Sequence, residues 1–61
     1  MIQPTKNASQ RTLDNLIKHG PEMIVIEGPR KVQCFNWASA LLLQAKDGWS
    51  GWFPVNEIEV L

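Results

Sequence analysis

Lys46-Asp47-Gly48-Trp49-Ser50-Gly51-Trp52-Phe53-Pro54-Val55-Asn56-Glu57-Ile58-Glu59-Val60-Leu61 closes the chain, and its reading decides the fold. Asp-Gly is the strongest short hairpin signal, because the glycine accepts the positive φ that a tight turn demands. A hairpin needs two arms. The turn at 46–48 therefore predicts strands on both sides, Trp37 to Ala45 before it and Trp49 to Pro54 after it. A second tight turn leads into a last strand from Ile58 to Leu61. The first arm is rich in Leu and Ala, whose intrinsic preference is helical, and a helix over 37–45 is the competing reading. The turn decides for strand.

Upstream, Met23 to Glu27 is a β-branched run bounded by Gly20-Pro21 and Gly28-Pro29 and reads as another strand. Lys31 to Phe35 alternates through Val32 and Cys34, as a shorter strand or an extended loop. From Ala8 to Gly20 the signals turn helical. Ser9 can cap the first free amides, and Leu13, Leu16 and Ile17 fall at i, i+3 and i+4 on one face. Gly20 suits the left-handed residue after a helix, and Pro21 blocks continuation. Residues 1–7, with Pro4 among polar neighbours, read as a flexible arm, and residues 8–61 as one small domain with an N-terminal helix.

Gly51-Trp52-Phe53-Pro54, followed by a turn at Val55-Asn56-Glu57 and a final strand, resembles the closing stretch of Src homology 3 domains. Trp37 with Ala40 three positions on is similar to that family's first conserved tryptophan and small core residue. Leu16, Gly20, Glu22, Ile24 and Ile26 resemble the end of its long first loop and its second strand. The resemblance covers roughly residues 14 to 61. It implies a mainly β fold, a small Src-homology-3-like barrel of four to five antiparallel strands, here with a short helix in place of the first strand and loop. It also implies peptide binding across an aromatic groove. Trp37 and Trp52 would face one another across one pocket, with Pro54 and Asn56 lining the next. The family's groove tyrosines fall at Lys6, Ala8 and Glu57, and the acidic residue that pairs with a ligand arginine falls at Asn15. The chain contains no tyrosine. Most of the proline-gripping surface is absent.

With 61 residues the chain buries a small fraction of its surface, so its stability margin is narrow. Cys34 is the sole cysteine, which precludes an internal disulfide, and one cysteine with one histidine is too few for an ordinary zinc site. A partner subunit is the one staple left open. Six basic and six acidic side chains cancel, against the cationic footprint of a general nucleic-acid binder. No apolar run approaches the roughly 18 residues that span a bilayer. The N-terminus lacks a basic stretch followed by an apolar segment, and a cytoplasmic location is expected. No nucleophile–base pair, phosphate-cradling glycine loop or metal spacing is present. The expectation is a non-enzymatic protein with no cofactor and no metal.

The expected binding face centres on Trp37 and Trp52, with Pro54 and Asn56 beside them, because aromatics dominate interface hot spots. The bland alternative is that these tryptophans seal a small core. Trp49, next to the turn, reads as a partly exposed cross-strand residue. If Ala40 points inward, so do Ala38 and Leu42, leaving Leu41 and Leu43 outside. If Ile24 and Ile26 point inward, Met23 and Val25 point out. Met23, Val25, Leu41 and Leu43 thus form a second expected face, covered by the helix or by a subunit or partner. A protein or peptide partner is the leading expectation, with homo-oligomerisation next. A nucleic-acid-associated barrel using Lys6, Arg11, Lys18, Arg30 and Lys31 is the alternative. His19 reads as a cation at the helix end, and Cys34 as a small buried hydrophobe.

Overall fold

The computed structural model describes all of residues 1–61. Ser9 caps helix α1 (Gln10–His19), its hydroxyl accepting the Thr12 N–H at 3.3 Å. Gly20 ends the helix through its N–H to the Leu16 carbonyl, but with an extended backbone (φ −142°) rather than the left-handed one expected. Its lack of a side chain serves packing instead. A Cβ there would lie 2.7 Å from the Met23 side chain.

β2 (Met23–Val32), β3 (Ala38–Ala45) and β4 (Ser50–Pro54) form an antiparallel meander in that spatial order, with a 3-10 turn at Gln33–Phe35 between β2 and β3. Gly48 adopts φ +93° at the hairpin apex, as the Asp-Gly pair predicts. β2 is one long strand where a short strand over Met23 to Glu27, followed by a shorter strand or an extended loop over Lys31 to Phe35, was expected. It passes through Gly28-Pro29 by two register shifts, between Val25 and Glu27 and between Glu27 and Arg30. Such bulges absorb a residue that cannot join the ladder.

Residues 1–7 are not a loose arm. β1 (Ile2–Pro4) pairs antiparallel with β5 (Ile58–Val60), joining the two ends of the chain. Ile2 is fully buried. The fold is thus mainly β and antiparallel with one helix. The strands form two separate sheets, β1–β5 and β2–β3–β4, and no ladder closes them into a barrel. The Ile2 N–H to the Pro21 carbonyl ties β1 to the segment leading into β2, while the Thr5 N–H to the Glu57 carbonyl extends the β1–β5 ladder.

The core is Ile2, Leu16, Met23, Leu43, Ala45, Phe53 and Ile58, with Leu41 and Trp49 packed against it. Register explains the set. Leu41 pairs with Phe53, Leu43 with Gly51 and with Val25, and Met23 with Ala45. Directly paired residues of antiparallel strands project to the same face. Gly51 is needed here, since a Cβ would lie 2.5 Å from the Trp49 ring that covers it.

The expected face of Met23, Val25, Leu41 and Leu43 is therefore corrected. Met23 and Leu43 are core, Leu41 packs on that core, and only Val25 retains substantial exposure. The side left open carries Ile24, which is 64% exposed, and Ile26, which is 44% exposed. Ala40 is buried, yet it pairs with Pro54 and Arg30 on the side opposite Phe53. That pairing sets Leu41 and Leu43 inside. On the helix, Thr12 and Leu16 are buried and Leu13 is half-buried, while Ile17 is exposed to solvent. No helix is long and apolar enough to cross a membrane.

Candidate functional site

Trp37 stands at the junction of the 3-10 turn and β3. Asn36 and Trp37 both take left-handed backbone, φ +58° and +62°. Asparagine tolerates that conformation, but for a bulky aromatic it is strained. Two backbone bonds hold the junction: the Asn36 N–H to the Gln33 carbonyl at 2.9 Å and the Trp37 N–H to the Val32 carbonyl at 3.0 Å. The indole so displayed is 60% exposed.

From this point the seam between β3 and β4 carries the remaining expected residues in a line. The Val55 N–H reaches the Ser39 carbonyl, which sets the turn containing exposed Asn56 beside the start of β3. Next, Pro54 pairs with Ala40, and Trp52 pairs with Leu42. At ~3.3 Å per residue, Leu42 lies about 16 Å along β3 from Trp37. Trp37 and Trp52 therefore stand well apart along the sheet rather than as opposite walls of one pocket. Pro54 is buried. Trp52 is half-buried beneath the Arg30 guanidinium, 5.9 Å from its ring centroid, and Arg30 is in turn held by Glu27 at 2.9 Å.

Other chemistry-bearing residues are engaged elsewhere. Glu57, where the Src homology 3 pattern has tyrosine, clips the start of α1. One carboxylate oxygen accepts the Ser9 N–H at 2.8 Å and the buried Thr12 hydroxyl at 2.7 Å. Partial burial pushes its pKa up, but those two donors with nearby Arg11 prevail and hold it below the ordinary glutamate value. A negative group at a helix N-terminus is also favoured by the aligned peptide dipoles. No local spacing could have revealed a cap supplied from 45 residues away.

His19 lies at the helix end as expected, and there it also joins a packed cluster. Its ring stacks on Trp49 at 4.2 Å, and Nδ1 is 2.8 Å from Asp47 Oδ2. Trp49 meets Phe53 edge-on, fastening the helix end to the β3–β4 hairpin. The bond to His19, with a second from the Trp49 N–H, holds the Asp47 pKa below the ordinary aspartate value. Of the expected basic set, Arg11 lies over Phe35 and Phe53, and Arg30 over Trp52. Cys34 is exposed rather than buried, because the 3-10 turn replaces the alternating strand expected there.

No protein-family model matches the chain, and no curated protein or solved structure matches it either.

Proposed function

We propose that this chain is a non-enzymatic interaction module that docks an extended segment of another protein along the track from Trp37 and Asn56, past Pro54, to Trp52. The observation that carries this reading is the Trp37 indole, presented to solvent on backbone that costs about 1–3 kcal/mol to hold. Nothing in the packing of the core requires that cost, because Trp37 is outside the core set. Rigid aromatic anchors lose little entropy on binding and dominate hot spots. The span of about 16 Å suits an extended peptide of roughly five residues.

The same reading extends to ancestry of form. A three-strand meander, paired terminal strands and the Gly51–Pro54 ending support a reduced Src-homology-3-like arrangement in which α1 stands where that family has its first long loop. Arg30 over Trp52 and Glu57 on the helix cap occupy places where the family's groove would be open. The proposed partner is for that reason an extended segment gripped mainly at the Trp37 end.

Affinity capture with the intact chain, followed by titration of the captured segment, tests the proposal. Trp37→Ala should fold normally and weaken binding about tenfold or more, and Trp52→Ala should weaken it less because Arg30 covers that ring. Ile17→Ala, on the exposed side of α1, serves as the control. If Trp37→Ala and Trp52→Ala both fold and retain the partner undiminished, the track is not the docking site.

A further inference from the structure

Arg11 is held by ring faces and not by charges. Its guanidinium carbon lies 5.1 Å from the centroid of the half-buried Phe35 ring and 5.7 Å from that of the buried Phe53 ring. It makes no ion pair and no hydrogen bond within the chain. Stacking on aromatic faces orients the plane of a guanidinium and leaves its N–H edges free. Those edges match a carboxylate bidentately.

Lys31 adds a second free cation on the same side of the sheet. It is exposed, belongs to none of the ion pairs, and pairs with Ser39 in the β2–β3 ladder. Ser39 lies two residues from Leu41, which pairs with Phe53. Lys31 and Ser39 therefore project to the Phe53 side, the side that Arg11 borders.

The carboxylates that could answer these cations are engaged. Glu27 holds Arg30 at 2.9 Å. Glu57 lies within electrostatic range of Arg11, but one of its oxygens accepts both the Ser9 N–H and the Thr12 hydroxyl, and it forms no ion pair. Asp14, further along α1, accepts the Gln10 side-chain amide. In a chain of zero net charge, two unanswered cations at one end of a strand are a local imbalance.

Phe35 is two residues from Trp37, at most about 7 Å of backbone, and Ser39 is two residues beyond Trp37. Both cations thus flank the end of β3 at which Trp37 stands. We propose that Arg11, assisted by Lys31, makes this end selective for a carboxylate side chain, so that the docked partner is an acidic extended segment. The inference rests on the reading of Trp37 as the anchor. The two cations project to the side of the sheet opposite Trp52, so a docked segment meets them only past the end of the sheet. The partner's carboxylate therefore lies beyond the Trp37 anchor, outside the stretch between the two indoles. Near Trp52, Glu27 and Arg30 neutralise each other and leave no charge preference.

The test is a phage-displayed library of random short peptides panned on the intact chain, with Trp37→Ala as counter-target. A selected peptide is then synthesised and titrated. Selected peptides are expected to carry Asp or Glu beside the residue that Trp37 binds, on the flank away from the residue sensitive to Trp52→Ala. Replacing that acid by its amide should weaken binding about tenfold. That change is made in the peptide, so it leaves the folding of the chain untouched. Arg11→Gln, its fold checked by circular dichroism, should weaken the acidic peptide by a similar factor and leave the amide peptide unaffected. Lys31→Gln should weaken the acidic peptide less. Trp37-dependent peptides with no acidic preference overturn the proposal and leave the track standing. So does an acid-to-amide change worth less than about twofold, or one that costs as much on Arg11→Gln as on the parent. A library that yields only peptides indifferent to Trp37→Ala overturns the track itself, and this inference with it.

Discussion

The two faces of the β2–β3–β4 sheet are built from interleaved residues of the same strands, yet one is closed and the other open. Phe53, Leu43 and Met23 project to one side and meet Leu16, Ile2 and Ile58. Their neighbours Trp52, Leu42 and Ile24 project to the other, where the cover is a single Arg30–Glu27 pair and the flanking loops. In a chain this small, the helix and the β1–β5 pair suffice to cover only one face. Apolar content alone does not say which residues form the core here; pairing register does.

The largest effects should fall on the closed face. Phe53→Ala is expected to cost about 3–5 kcal/mol. A domain of this length has about 3–9 kcal/mol in total, so the loss should take half or more of the stability and move the urea midpoint sharply downward. Trp52→Ala, one residue away on the open face, should leave a cooperative urea transition. Comparable losses at the two positions would erase the distinction between the faces.

Next comes the clip between the closing turn and α1. Thr12→Val removes a fully buried donor to a carboxylate and should cost about 1–3 kcal/mol in urea unfolding. The mechanism predicts a pH signature as well. Glu57 and Asp47 both have folded-state pKa values held below their ordinary ones. Each therefore adds stability that is fully present above the ordinary carboxylate pKa and is lost as pH falls through the depressed folded value. Stability should be flat from about pH 7 to 5 and decline below that. Glu57→Gln should make the decline shallower, and an unchanged acid limb would show that the clip contributes nothing.

The smallest effect concerns the display of Trp37. Trp37→Gly relieves left-handed strain at an exposed site, so stability should hold or rise by up to about 1 kcal/mol even as partner binding is lost. A large loss of stability would instead mean that the indole is a packing residue.

Much of this was legible in the residues because the signals are local. Ser9 and Gly20-Pro21 bracket the helix, Asp47-Gly48 makes the hairpin, and Gly51 to Pro54 makes an ordered edge strand. What escaped the sequence is non-local or depends on parity. Ala38 to Ala45 is apolar at nearly every position, so alternation cannot say which set points inward, and anchoring on Ala40 chose the wrong one. The bulges of β2 shift parity within a single strand. A three-residue strand such as β1 has no period to read, and its partner lies at the other end of the chain. Asn56, Pro54 and Trp52 follow the β3–β4 seam, and Trp37 stands just before β3. Their order along it, and Arg30 lying over Trp52, follow from pairings that spacing alone does not encode.

The face assignment is tested most directly by urea unfolding of Leu43→Lys beside Ile24→Lys. The expected result is a Leu43→Lys chain without a cooperative transition and an Ile24→Lys chain unfolding near the parent midpoint. A folded Leu43→Lys with an unfolded Ile24→Lys would invert the sheet and remove the basis for the proposed docking surface.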